Sequence, residues 1–241
     1  MNYAIIIAGG VGSRLGASVP KQFVEVLGKP VIAYTMEHFQ NHPEIDAIEL
    51  VCVDGYQEHL NGIIEKYGIN KVIKIVKGGS EYERSIMNGI AGLNGIAEQE
   101  DVVIIHWSAS PFLSEEIISD NIRVCKEKGN AISASYSYLL YGTNDGDCAK
   151  RAIKRESFMT LSAPLSFLYK EITDIYKQVE EKNLFETVDE HHTTVFLAEL
   201  GIPLFFSKGS HTNIKITTKE DIDLFLGYLL AKKYKEEHKE Q

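Results

Sequence analysis

The stretch AIIIAGGVGSRLGASVPKQF, residues 4–23, decides how the rest of the chain is read. Its first residues, Ala4 to Ala8, are apolar without a break and carry three consecutive isoleucines. A strand buried on both faces of a parallel sheet has that composition. Glycines follow at once, Gly9, Gly10 and Gly12, and two fixed positive charges come after them, Arg14 and Lys21. Ligands of open α/β sheets bind just beyond the carboxyl ends of the strands, which is where this loop must lie. Glycines let the backbone turn sharply and bring its N–H groups against an anion. Arginine and lysine add the charge and the directed donors that a polyphosphate needs. A strand-to-helix turn with surface charges fits the same spacing, and the residues alone leave that alternative open. A dinucleotide loop fits less well, because its ribose-binding acid falls about 20 residues further on, and the candidate, Asp54, comes far later.

Beyond this loop, short β-branched runs alternate with helical patterns. Strands are predicted at 3–8, 45–53, 72–76, 101–106, 131–140 and 203–208. Helices are predicted at 30–40, 55–67, 83–97, 114–129, 163–183, 192–201 and 218–237, with Gly129 as a stop signal. The polar stretch 141–157 reads as a hairpin leaving the main body. The expected fold is α/β: a Rossmann-like, mostly parallel twisted sheet with helices on both faces, plus a projecting β-arm. No repeats or low-complexity tracts occur, so 1–241 is expected to be a single domain with its arm at about 138–157.

Composition narrows the function classes. The chain has 241 residues, 44% apolar and 24% charged, with a net charge of -9. That balance argues against a nonspecific nucleic-acid binder, which needs a broad basic face. No apolar run is long enough for a membrane helix, and the chain enters a strand pattern at once without a leader. Cys52, Cys125 and Cys148 lie far apart and form no CxxC pair. A cytoplasmic protein is expected.

The glycine loop with its Pro-Lys-Gln resembles the nucleotide-binding signature of the cytidylyltransferases that act on methylerythritol phosphate and on ribitol-5-phosphate. Three further blocks follow in that family's order: GGSEYERSIMNG (78–89), HWSASPF (106–112) and NIKITTKEDI (213–222). The resemblance implies that a phosphate oxygen of a phosphorylated acceptor attacks the α-phosphorus of CTP and releases pyrophosphate. It implies that Ala8, Gly9, Gly10 and Gly12 contact the nucleotide, and that Gly78, Gly79 and Ser85 surround cytosine and ribose. Arg14, Lys21 and Lys215 would be the catalytic cations on the triphosphate, and Mg²⁺ the expected cofactor, carried with CTP. It further implies a homodimer whose arm carries Arg155 into the partner's pocket, to bind the acceptor phosphate.

The third block departs from the family's His-Asp-Ala-Ala-Arg-Pro. Trp107 stands at the aspartate and Ser110 at the arginine, both expected to face the acceptor. An indole offers magnesium no oxygen ligand. The later Thr-Pro-Gln is Ala163-Pro164-Leu165, and EHHTT (190–194) replaces a Thr-Asp. The metal ligands are left unassigned, with Asp145, Asp147, Asp189 and Glu190 as candidate acids. Adjacent histidines on a helix point about 100° apart, so His191 and His192 suit capping or surface roles better than a metal site. His106 is expected to bond the backbone. Two readings follow: an active cytidylyltransferase with a different acceptor, or a degenerate nucleotide binder that acts as a partner or regulator.

Overall fold

The computed structural model describes residues 1–10, 16 and 19–238. Gly12 and Arg14, two of the expected nucleotide contacts, lie outside the described residues. In chain order the strands begin with β1 (Asn2–Ala8), the short pair β2 (Glu25–Val26) and β3 (Lys29–Pro30), β4 (Ala47–Cys52) and β5 (Val72–Lys77). They continue with β6 (Val102–Trp107), β7 (Asn130–Tyr136), β8 (Tyr141–Gly142), β9 (Ala152–Ile153), β10 (Met159–Leu168) and β11 (Phe206–Lys208). The first helices are α1 (Val31–Asn41), α2 (Gln57–Lys66), α3 (Tyr82–Gly92) and α4 (Glu115–Lys128). Then come α5 (Tyr169–Glu181), α6 (Leu184–Thr187), α7 (Thr193–Glu199) and α8 (Lys219–Glu237).

Seven strands form the main sheet in the order β11-β7-β10-β6-β1-β4-β5. β1 lies between β4 and β6, parallel to both, so it is central and all its residues are buried. Its side chains alternate between the two cores. Ala4, Ile6 and Ala8 pack with α1, α2 and α4 residues such as Phe39, Leu60 and Ile118. Tyr3, Ile5 and Ile7 pack with Ile86 of α3, Ile175 of α5 and Phe196 of α7. Two apolar faces on one strand are what a sheet covered on both sides demands.

The predicted helix at 163–183 starts six residues too early. Residues 159–168 are β10, antiparallel to both β6 and β7, and helix α5 begins only at Tyr169. Ala163, Leu165 and Phe167 fill one core, while Ser162 and Ser166 face the other side. Their partners come from other segments: Asn121 of α4 accepts from Ser166 Oγ and donates to Pro164 O at 3.2 Å and Ser207 Oγ at 2.7 Å, and Asn213 donates to Ser162 Oγ at 3.3 Å. The predicted strand at 131–140 also runs shorter, because Tyr136 ends β7 and the chain turns away. β8 and β9 pair antiparallel as the arm's hairpin. Gly129, at φ 92°, stops α4 as its sequence signalled, and Thr218 with Asp221 caps α8 reciprocally.

Candidate active site

The site forms where β1, β4, β5 and β6 end. Val53 N donates to Ala8 O (3.1 Å), Gly78 N to Cys52 O (2.8 Å) and Ser108 N to Ile7 O (3.1 Å), so three bonds stitch the four strand exits edge to edge. The glycine pairs then meet. A Cβ on Gly9 would lie 2.7 Å from Ser85 Oγ, and one on Gly78 would lie 3.1 Å from Gly9 Cα. No other residue permits so close an approach. Ser85 is buried and spends its hydroxyl on this turn, accepting from Gly79 N (3.0 Å) and donating to Glu81 O (3.0 Å). A cavity of 460 Å³ opens over the pairs, lined by Gly9, Gly10, Gly78, Gly79 and Ser85, with the Lys77–Asp54 ion pair on its wall.

Beside it, sharing Gly10 and Tyr82, is a 210 Å³ hollow that holds Lys21, Gln22, Trp107 and Lys215. Two lysines from opposite ends of the chain meet there because the 213–217 segment docks onto the loop after β6. Ile216 N donates to Ala109 O (2.8 Å), and Lys21 Nζ donates to Ile216 O (2.9 Å). Gln22 is buried and donates to both Ala8 O (2.9 Å) and Gly10 O (3.0 Å), closing the glycine loop onto the turn that carries Lys21. The ammonium of Lys215 lies 4.5 Å from the centre of the Trp107 ring and 5.3 Å from that of Tyr82. The Trp107 indole N–H donates to the Tyr82 hydroxyl.

On the far side of Trp107 a third cavity, 220 Å³, is lined by Ser162, Glu190, His192 and Thr194. His192 caps α7 by accepting from Thr194 N (3.2 Å), and burial lowers its pKa, so it is neutral. His191 pairs with Glu81 at 2.8 Å, and that carboxylate raises its pKa. Both histidines thus take capping and surface roles. His106 bonds Ser110 O at 2.9 Å, and burial pushes its pKa down to about 4, so it has no charge to offer.

Two expected positions, Ser110 and Asp145, need correction. Ser110 is 1% exposed and lines none of these three cavities, because its N–H turns back onto Trp107 O (3.0 Å) and its carbonyl is held by His106. Arg155 is exposed on the arm, where its guanidinium donates to Tyr138 O at 3.4 Å. Asp145 accepts from Lys150 N (2.9 Å) and closes the arm's turn instead of facing the site. Among the described residues no three of His, Cys, Asp or Glu gather as a metal group, so the side chains here do not form a cage for Mg²⁺. Two further residues carried no sequence signal. Tyr82 joins the other two rings of the wall, accepting from the Trp107 indole and stacking on His192 at 5.9 Å. Glu83 is fully buried and receives Thr193 N at 2.9 Å and the Tyr176 hydroxyl, tying α3 to α5 and α7. Burial raises the Glu83 pKa against those hydrogen bonds.

Residues 2–230 match the family described as IspD, 2-C-methyl-D-erythritol 4-phosphate cytidylyltransferase. The chain belongs to that family. The cytidylyltransferase blocks at 4–23, 78–89, 106–112 and 213–222 are therefore the segments that build the two adjoining hollows. A ribitol-5-phosphate cytidylyltransferase of Lacticaseibacillus paracasei is 37% identical over 230 residues, covering 95% of this chain and 98% of its own. A 2-C-methyl-D-erythritol 4-phosphate cytidylyltransferase of Clostridium botulinum is 36% identical over 224 residues, covering 92% and 95%. The crystal structure of 4-diphosphocytidyl-2C-methyl-D-erythritol synthase from Anaerococcus prevotii superposes with a TM-score of 0.77 at 25% identity, covering 95% of this chain and 96% of that one. The seven-stranded, mostly parallel sheet is the cytidylyltransferase fold.

Proposed function

We propose that this cytidylyltransferase transfers CMP from CTP to the phosphate of a phosphorylated polyol. The acceptor's phosphate oxygen forms a new bond to the α-phosphorus, the bond to the bridging oxygen breaks, and pyrophosphate leaves with that electron pair. The observation that carries this reading is the junction of two hollows at Gly10. One is walled by glycine backbone fit for a nucleoside, and the other holds Lys21 and Lys215. Gly78 and Gly79 would read the cytosine edge through backbone groups. Lys21 and Lys215, with Arg14, would answer the charge that builds on the leaving pyrophosphate, a task for fixed positive groups without proton transfer. The third cavity supports a polyhydroxy acceptor, since Ser162, Glu190 and Thr194 offer hydrogen-bond partners to hydroxyls. Mg²⁺ would arrive on the triphosphate, as it commonly does when protein carboxylates are few.

The chain is read as one cytoplasmic domain that works as a homodimer through residues 138–157. Tyr138, Leu139 and Leu140 on that arm are exposed, which favours burial against a second copy. Trp107 is assigned to the partition between triphosphate and acceptor, and Arg155 to the acceptor's phosphate across the dimer. The test is pyrophosphate release from CTP and Mg²⁺ with ribitol 5-phosphate, methylerythritol 4-phosphate and other polyol phosphates. At least one acceptor gives turnover, and Lys21→Ala lowers it at least about tenfold, within the range for losing one charge-stabilising group. Binding of CTP with no turnover on any polyol phosphate would instead leave a nucleotide-binding homologue.

A further inference from the structure

The indole at the end of β6 has a use that its loss of metal-binding capacity conceals. Its face meets the Lys215 ammonium at 4.5 Å, and the Tyr82 ring meets the same ammonium at 5.3 Å. Both rings are fixed from behind. The Trp107 N–H is spent on the Tyr82 hydroxyl, Tyr82 stacks on His192, and His192 is pinned as the cap of α7. Aromatic faces attract cations through their quadrupole, best of all tryptophan. A carboxylate at the same place would attract Lys215 more strongly but would also neutralise it. The π-face attracts the ammonium without itself supplying a countercharge, and it does so at the wall of the hollow that Lys215 shares with Lys21.

We infer that Trp107 and Tyr82 are positioning residues that hold Lys215 over the phosphate hollow as a cation–π clamp. This rests on the reading of that hollow as the triphosphate site. At the end of β6, a platform for a protein cation therefore stands where the family block carries an acid. The same indole also lines the third cavity, so the clamp and the partition share one side chain.

Trp107 is the only tryptophan of the chain, so its fluorescence reports on the clamp directly. In the protein without nucleotide, Lys215→Met is expected to change the intensity and position of Trp107 emission, whereas Lys219→Met, on the exposed first turn of α8, leaves both unchanged. Calorimetry with CTP then completes a double-mutant cycle. Trp107→Leu weakens CTP binding about tenfold in the wild-type background and by less than about twofold in the Lys215→Met background. Trp107→Phe, which keeps a π-face, stays within about threefold of wild type. Emission indifferent to Lys215→Met overturns the inference. So does a Trp107→Leu loss that is the same in both backgrounds, which would mark a merely structural tryptophan. A protein that binds no CTP but shows the lysine-dependent emission keeps the clamp and loses the functional reading.

Discussion

Replacing Gln22 by leucine keeps the volume of a buried side chain and removes two hydrogen bonds whose consequences differ. Ala8 O keeps a second donor, Val53 N at 3.1 Å, so it loses only the net worth of one bond, about 1 kcal/mol. Gly10 O loses the Gln22 amide at 3.0 Å, and the penalty for a stranded carbonyl is about 1–3 kcal/mol. Gly10 is exposed and lines both hollows, so water can reach its carbonyl, which puts the cost at the low end of that range. The sum is about 2 kcal/mol. For a chain of this size each kcal/mol moves the melting midpoint by about 2–4 °C, so Gln22→Leu melts about 4–8 °C lower. The same bonds tie the turn bearing Lys21 to the glycine loop, so CTP affinity should fall about fivefold or more. Differential scanning fluorimetry and calorimetry on the purified variant measure both. A melting shift below about 1 °C with unchanged CTP affinity would refute the view that this glutamine closes the nucleotide loop.

Glu49, fully buried on β4, has neither carboxylate oxygen bonded among the described residues, and burial pushes its pKa up to about 8 against the pull of Lys74. The folded state therefore holds a proton that the unfolded state, near 4.3, has released. Its contribution to stability is full below the unfolded value and is lost as pH rises towards about 8. Between pH 6 and 8 urea titrations should lose about 2–3 kcal/mol, at about 1.4 kcal/mol per unit, and Glu49→Gln should flatten that slope. A wild-type slope that is already flat would mean the carboxylate is solvated. For the arm, sedimentation should give a dimer mass at micromolar protein, shifted towards monomer by Leu139→Ser with Leu140→Ser. A monomeric wild type would remove the arm's proposed role.

What the sequence made legible follows from how each segment is satisfied. β1 could be read because both its faces are apolar, and α4 because Gly129 supplies the left-handed stop. β10 could not, since Ser162 and Ser166 break the apolar run and their partners, Asn213 and Asn121, lie some forty to fifty residues away in other segments. In the site, the glycines and Lys21 could be placed from one loop, because local spacing dictates a turn at a strand exit. That Lys215 joins them depends on a docking bond from Ile216 to Ala109, which no local pattern contains. Tyr82 was invisible for the same reason: a tyrosine at a helix start acquires meaning only when Trp107, His192 and Lys215 arrive from three other segments. Ser110 misled because its neighbour Trp107 faces the cavities, while the tight turn between them points the serine inward.

That turn bears on how the altered block should be understood. If Trp107 and Ser110 were two independent losses, restoring an aspartate and an arginine would rebuild the family's arrangement. Instead Ser110 is enclosed, with its hydroxyl unbonded among the described residues and its carbonyl held by a neutral His106. A guanidinium there would enter closed space, at a cost that exceeds a surface substitution several times over. An aspartate at 107 would remove the ring face that the Lys215 ammonium meets at 4.5 Å. The two changes are therefore fitted to their surroundings. If the third cavity takes the acceptor's hydroxyls, as proposed, acceptor choice is set beyond the partition, where Ser162, Glu190 and His192 line that cavity.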